Sequence, residues 1–373
     1  NNQQPTTIKP TTINIITLGC SKNLVDSENL MGQLRANNIQ VMHDQNEASD
    51  TVIINTCGFI FDAKQESVDT ILQFAEQKKS GTLKNLFVMG CLSERYKEDL
   101  IKEIPEVDRF YGVDDLEKII RDLGNKYYPL LHAGRDITTG HYAYLKIAEG
   151  CDRQCSFCAI PLIRGKHMSR SKKNILDEVK KLVSNGTREL ILISQDLTYY
   201  GMEKGGHAML PELVSDLAAV EGLEWIRLHY AYPARFPLEL LEVINDHGNV
   251  CRYLDIPFQH IADPILKSMR RGIDKKQTLE LIDKIRETVP GIALRTSLMV
   301  GYPGETDNDF MELCDFIGEV KFDRLGVFTY SHEEDTHAFN LEDNITDEIK
   351  QERMQGLMDI QAGISHTRNS EKI

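Results

Sequence analysis

Three thiols stand close together in Gly150-Cys151-Asp152-Arg153-Gln154-Cys155-Ser156-Phe157-Cys158, at the spacing CxxxCxxC. Soft thiolates on so short an arc converge on one soft metal centre. Three ligands are one too few for a closed tetrahedral site. A cubane iron–sulfur cluster held this way keeps one iron without a protein ligand, and an open position marks a catalytic rather than a structural site. Spacing alone leaves two other readings open: a zinc knuckle completed by His141 or His167, and a ferredoxin-type loop.

A second set is spread along the first third of the chain. Cys20, Cys57 and Cys91 each follow a short apolar run, at Ile13–Leu18, Thr51–Asn55 and Leu86–Met89. Gly19 and Gly90 precede two of them and Gly58 follows the third, which lets backbone approach a bulky group. A lone free cysteine is commonly just a buried residue. Three at equivalent strand ends predict a second metal cluster. Cys251 and Cys314 have no clustered partner and read as buried bystanders.

Both sets need a scaffold. Helical periodicity spans about Lys22–Arg35, Asp62–Lys79 (with Ala63, Val68, Ile71, Leu72 and Ala75 inward) and Ser93–Glu103, and Asp108–Gly112 is a candidate fourth strand. Alternating helices and near-continuous apolar strands predict an open parallel sheet covered on both faces. The carboxyl ends of its strands line one crevice, so the three cysteines share a rim.

After a connector at 123–140, a second series begins. Its strands are Tyr142–Ala148, Arg188–Ser194, Trp225–Tyr230, Tyr253–Ile256, Ile292–Val300 and Leu325–Tyr330. Its helices are about Lys173–Ser184, Leu210–Val220, Pro237–Asn245, Lys275–Thr288 and Asp307–Val320. Six such units make an incomplete TIM-like barrel, (β/α)6, with active residues at the carboxyl ends of its strands. Polar residues gather there: Gln195-Asp196, His229-Tyr230, Gln259-His260 and Gly301-Tyr302-Pro303-Gly304-Glu305-Thr306. The last run has the look of a phosphate loop but lacks its lysine. Trp225 reads as packing.

The expected organisation is therefore α/β: a disordered leader (1–12), an N-terminal domain (13–122), the connector, a partial barrel (141–335) and a C-terminal helical segment (336–373). The 373 residues carry 43 Lys and Arg against 57 Asp and Glu, a net charge of −14. So acidic a surface disfavours a nucleic-acid clamp and suits a basic protein partner. No apolar run is long enough to span a membrane, and the first dozen residues lack a signal-peptide core. These features predict a cytoplasmic protein with no membrane partner, whose eight cysteines serve as ligands or buried thiols rather than disulfides.

The CxxxCxxC loop, entered by a strand and with Phe157 before its last cysteine, resembles the signature of the radical S-adenosylmethionine (SAM) superfamily. There the open iron chelates the amino and carboxylate groups of SAM, and the reduced cluster cleaves it to a 5′-deoxyadenosyl radical. Together with the strand-end cysteines, the chain from Ile13 onward resembles the methylthiotransferase family. LGCSKNLVDSE (18–28), INTCGFI (54–60), CAIPLIRGKHMSR (158–170), SQDLTYYG (194–201), RLHYAYP (227–233) and YLDIPFQH (253–260) are similar to its RimO branch. Leu197 departs from the Thr more usual there.

That branch implies insertion of sulfur and a methyl group at the β-carbon of an aspartate in the small-subunit ribosomal protein S-twelve, through two SAM-dependent half-reactions. A first SAM methylates the sulfur, and a second generates the radical. By the same resemblance Cys151, Cys155 and Cys158 hold the SAM-binding [4Fe-4S] cluster. Cys20, Cys57 and Cys91 hold a second [4Fe-4S] cluster that carries the sulfur, and no further catalytic residue is implied. For SAM itself, Gln195 would meet the amino group, Arg170 the carboxylate, Ile160 and Val300 the adenine, and Gln259 the ribose. An electron donor such as flavodoxin or ferredoxin is implied, and a monomer is expected. The family's C-terminal TRAM domain is absent from this sequence, so weak substrate binding is expected. The tRNA-modifying MiaB-like branch has a GCQMN-like first motif that does not stand here, and it would call for basic patches. A non-catalytic electron carrier would not explain three ligands in both sets.

Overall fold

The computed structural model describes residues 12–45, 47, 49–129 and 134–371. The expected leader lies outside the described residues except for Thr12, which opens the first strand, and so does 130–133 of the connector. No helix among the described residues is long and apolar enough to cross a membrane.

Contacts divide the chain into two compact units. One runs to Lys146 and takes in Leu162–Gly165 and Ser171–Thr187; the other is Ile147–Pro161, Lys166–Arg170 and Arg188 onward. The first unit holds β1 (Thr12–Thr17), α1 (Ser21–Ala36), β2 (Gln40–His43), β3 (Thr51–Thr56), α2 (Phe61–Lys79), β4 (Asn85–Gly90), α3 (Cys91–Glu103), β5 (Arg109–Phe110) and α4 (Leu116–Asp122). Its five strands pair in parallel in the order β2-β1-β3-β4-β5. Alternate residues feed opposite faces. Ile53, Phe87 and Met89 pack with Leu30, Met31, Leu34, Ile119 and Ile120, while Val52, Ile54, Leu86 and Val88 pack with Ile71, Ala75 and Leu100. The sheet is thus covered on both faces, as its apolar strands require.

Two details differ from expectation. The edge strand β2 was not foreseen: only Val41 of its four residues is buried, which leaves no alternation to read. Leu72 is 46% exposed rather than inward, and the fully buried positions of α2 are Ser67, Ile71 and Ala75, spaced by four.

Part of the connector is fastened to α1 by buried charge. Arg135 lies 3.4 Å from Glu28 and 3.5 Å from Glu178, with all three side chains almost fully enclosed. Thr138 donates to Glu28 through both its backbone N–H (2.9 Å) and its hydroxyl (3.0 Å).

The remaining elements are β6 (Tyr142–Lys146), β7 (Ala148–Glu149), α5 (Ile160–Arg164), β8 (Met168–Ser169), α6 (Lys172–Ser184), β9 (Glu189–Ile193), α7 (Met202–Gly205), α8 (Leu210–Ala218), β10 (Trp225–Leu228), α9 (Glu239–Asp246), β11 (Val250–Asp255), α10 (Asp263–Ser268), α11 (Lys275–Thr288), β12 (Ala293–Val300), α12 (Asp307–Val320), β13 (Arg324–Thr329) and α13 (Asp347–Ser370). The six-stranded sheet has the order β13-β12-β11-β10-β9-β6, the singly wound succession of a partial barrel. Trp225, expected to pack, stands 48% exposed at the start of β10.

Removing Glu28 strands Arg135 beside a single carboxylate. Losing one partner of a buried ion pair is worth about 3–5 kcal/mol. Chemical denaturation of Glu28→Ala should show a loss of that order, and Glu28→Gln, which keeps an acceptor for Thr138, should lose less.

Candidate functional site

In the first unit the cysteines fall where the sheet directs them. β1, β3 and β4 are neighbours, and the pairs Thr17 with Asn55 and Thr56 with Gly90 bring their carboxyl ends level. Cys20 caps α1, Cys57 directly follows β3, and Cys91 is the first residue of α3. Helix N-termini favour a thiolate at two of the three positions.

Close backbone approach is required around them. A Cβ on Gly19 would lie 2.7 Å from Cys57 Cβ, and one on Gly90 would lie 2.4 Å from Asn55 Oδ1. Gly90 also has φ +98°, a conformation open to glycine alone in practice. Asn23 stitches the rim: its amide donates to the carbonyls of Leu18 (2.9 Å) and Thr56 (3.0 Å). Ser67 bonds both the N–H and the carbonyl of Cys57 at 3.0 Å. Arg164 donates to Cys91 Sγ at 3.3 Å, to Asn23 Oδ1 at 2.7 Å and to Asp26 at 2.8 Å. Asp26 also pairs with Lys146. Cys20 is exposed while Cys57 and Cys91 are buried. Burial pushes the Cys57 thiol up to about 11 and raises Cys91 as well, with Arg164 opposing the rise at Cys91.

In the second unit, β7 delivers Cys151, Cys155 and Cys158. Two arginines and two tyrosines surround the loop. Arg153 bonds Asp196 at 2.8 Å and lies 4.2 Å from the Tyr232 ring centre and 5.2 Å from that of Tyr199. Arg271 donates to Cys155 Sγ at 3.1 Å and to the Pro257 carbonyl at 2.5 Å, and lies 4.4 Å from the same Tyr232 ring. The Tyr232 hydroxyl donates to the Arg271 carbonyl at 2.7 Å and stands 3.6 Å from Cys155 Sγ. Ser156 is pinned by Tyr302 (2.9 Å) and by backbone bonds with Met269 and Ala338. Burial pushes Cys151 up to about 11 and Cys158 to about 12.

The residues expected to touch SAM lie in the same unit. Gln195 follows β9 and donates to Glu149 at 2.5 Å, while its buried Oε1 has no partner and could accept from an ammonium group. Arg170 is half-buried, its N–H bonded to the Ile147 carbonyl and its carbonyl to Tyr200. Ile160 is half-buried at the start of α5. Gln259 has φ +75° and exchanges backbone bonds with Ser297 and Met299. Val300 is fully buried at the end of β12.

The residues present fit an iron–sulfur group. The donor sets are thiols, and the buried Nε of Arg271 has a hydrogen left for an acceptor brought by a bound group. Among the described residues no three His, Cys, Asp or Glu side chains gather closely enough for a single metal ion. A cubane spans more space than one ion and needs its ligands further apart. His167, the zinc ligand considered above, has Nε2 within 3.1 Å of Ser169 Oγ. Sequence reasoning passed over Asn23 and Arg164, although both stand in quoted motifs. It also passed over Arg271, for which no local signal exists. Cys251 and Cys314 are half-buried.

Comparison with known proteins adds a family context. Residues 145–317 match the Radical SAM superfamily and residues 12–112 match Uncharacterized protein family UPF0004. The chain is 55% identical over 369 residues to the ribosomal protein uS12 methylthiotransferase RimO of Bacteroides fragilis, covering 98% of this chain and 85% of that protein. It is 53% identical over 365 residues to the protein of the same name from Cytophaga hutchinsonii, covering 97% and 84%. Among solved structures, it resembles the radical SAM methyltransferase TsrM of Kitasatospora setae with TM-score 0.62 at 12% identity, covering 86% of this chain and 72% of that one. It resembles the cobalamin-dependent radical SAM enzyme OxsB with TM-score 0.57 at 12% identity, covering 94% and 56%. At these identities the likeness concerns fold alone.

The raised thiols have a measurable consequence. At pH 8 a thiol titrating near 11 holds on the order of 100-fold less thiolate than an ordinary one near 8.5. Iodoacetamide labelling of the metal-free chain, followed by peptide mass spectrometry, should therefore be slow at Cys57 and Cys151, with rates still climbing about tenfold per pH unit between pH 8 and 10. Cys20, being exposed, should react fastest.

Proposed function

Because the chain belongs to the family of ribosomal protein uS12 methylthiotransferases, RimO, we propose that it transfers a methylthio group to the β-carbon of an aspartate in uS12. The observation that carries this reading is the pair of three-thiol sets, each one ligand short of closure, one along a sheet rim and one on the loop after β7. When bound, a [4Fe-4S] cluster at Cys151, Cys155 and Cys158 would supply the electron that splits SAM, and one at Cys20, Cys57 and Cys91 would offer an iron for the sulfur to be transferred.

The chain's own residues do the rest. The unpartnered Oε1 of Gln195 accepts from the SAM ammonium, Arg170 meets its carboxylate, Gln259 the ribose, and Ile160 flanks the adenine, with the fully buried Val300 packing behind. Gly19, Gly58 and Gly90 keep Cβ atoms out of the crowded rim, and Asn23 holds two of its strand ends at fixed separation. Cys20, the exposed member, marks the side from which substrate arrives. The target C–H bond is too weakly acidic for a side-chain base, so no such base is assigned. The acidic chain, at −14, attracts a basic ribosomal protein from the cytoplasm and repels tRNA. A one-electron donor of flavodoxin or ferredoxin type completes the reaction, and the chain works as a monomer.

Reconstituted, reduced protein incubated with SAM and uS12 should yield 5′-deoxyadenosine and one methylthiolated aspartate, both read by mass spectrometry. Modified tRNA with unmodified uS12 would sink the proposal. A Cys20→Ala, Cys57→Ala, Cys91→Ala triple variant should lose about half its iron, as when one of two equal clusters is lost. It should still release deoxyadenosine and make no methylthiolated product. Binding to uS12 should weaken as salt rises, because exposed charges are screened beyond ~8 Å at physiological ionic strength.

A further inference from the structure

Each cysteine set holds a buried arginine against one of its sulfurs, but the two arginines differ in what balances them. Arg164 donates to Cys91 and is paired with Asp26. Arg153, on the CxxxCxxC loop, is paired with Asp196. Arg271 is 3% exposed, and among the described residues no carboxylate pairs with it. Its contacts are Cys155 Sγ, the Pro257 carbonyl and the face of Tyr232, and its Nε is unpartnered. A guanidinium does not give up its proton in a protein. A buried cation without a counter-charge is strongly unfavourable. The anionic character available to it is the sulfur set itself. Thiolates bound to a cubane carry net negative charge that grows when the cluster accepts an electron.

We propose that Arg271 is a positioning residue for the CxxxCxxC cluster, with its buried guanidinium as the counter-charge that holds Cys155 as a ligand and eases one-electron reduction. The inference rests on the reading of Cys151, Cys155 and Cys158 as cluster ligands. Cluster potentials follow net charge and hydrogen bonds to the sulfurs. A fixed cation donating to Cys155 stabilises the more negative, reduced state, so the electron from the donor enters at a less negative potential. No bond is made or broken in that step. The electron comes from the external reductant, and the cation compensates it in place, without a proton. Tyr232 supports the geometry, since its hydroxyl anchors the Arg271 backbone and its ring lies 4.4 Å from the guanidinium.

The test is a redox titration of the whole reconstituted chain with mediators and dithionite, followed by electron paramagnetic resonance. Added SAM identifies the signal of the CxxxCxxC cluster. Arg271→Met, a cation replaced by an apolar chain of similar reach, should keep iron near the wild-type level. Its midpoint should shift to more negative potential by at least a tenfold change in the reduction equilibrium, about 59 mV for one electron. Arg271→Lys should fall by less, and the other cluster's signal should stay in place. An Arg271→Met protein with full iron and an unmoved midpoint overturns the proposal. If that variant loses the cluster, Arg271→Lys decides: retained iron and a midpoint within tenfold of wild type support the charge role, and loss of the cluster there as well shows a packing role instead. Failure of the underlying reading looks different, because Cys151→Ala would then leave iron content and the SAM-sensitive signal unchanged.

Discussion

Burial opposes the thiolate at four of the six cysteines that this chain would use as ligands. Cys57, Cys91, Cys151 and Cys158 all hold their protons more tightly than a free cysteine because the protein around them excludes water. Positive charge and hydrogen-bond donors oppose that preference. Much of the architecture around the two sets supplies them: helix N-termini at Cys20 and Cys91, and guanidinium groups at Cys91 and Cys155. The wish to stay dry and the need to be anionic conflict at the same atoms.

Parallel sheets solve the remaining problem, which is to gather residues that are far apart in sequence. Cys20, Cys57 and Cys91 converge because three adjacent strands point the same way and end at the same level. A hairpin could not do this, since antiparallel neighbours end at opposite edges. In the second sheet too, carboxyl-end residues such as Gln195 after β9 and Val300 at the end of β12 come from strands over a hundred residues apart. The local chemistry at each position is modest, and the direction of the strands makes it collective.

What could be read beforehand was whatever leaves a local trace. Helices α11 and α12 run as expected from sequence, and the structure holds their starts with capping boxes, Asp274 with Gln277 and Thr306 with Asp309. The cysteine sets were legible through spacing and through apolar runs ending in Gly or Cys. β2 was not, being four residues with one inward side chain. Leu72 misled because an apolar residue beside Ile71 fits a helical stripe yet lies one step round the helix from it. Arg271 and the Glu28–Arg135 pair were invisible for a different reason. Their partners lie 116 and roughly 107 positions away, and nothing in a window of sequence reports a contact that only tertiary folding makes.

The first compact unit is not continuous in the chain: it borrows Leu162–Gly165 and Ser171–Thr187 after the polypeptide has already entered the second. A ribosome making this protein releases all three rim cysteines long before Arg164 and α6 emerge. Translation proceeds at about 5–20 residues per second, so the rim waits several seconds without its guanidinium or the partner of Arg135 on α6. By the time Arg164 arrives, Cys151, Cys155 and Cys158 have been made as well. The rim cysteines therefore gain their guanidinium contact only after both thiol sets exist on the nascent chain.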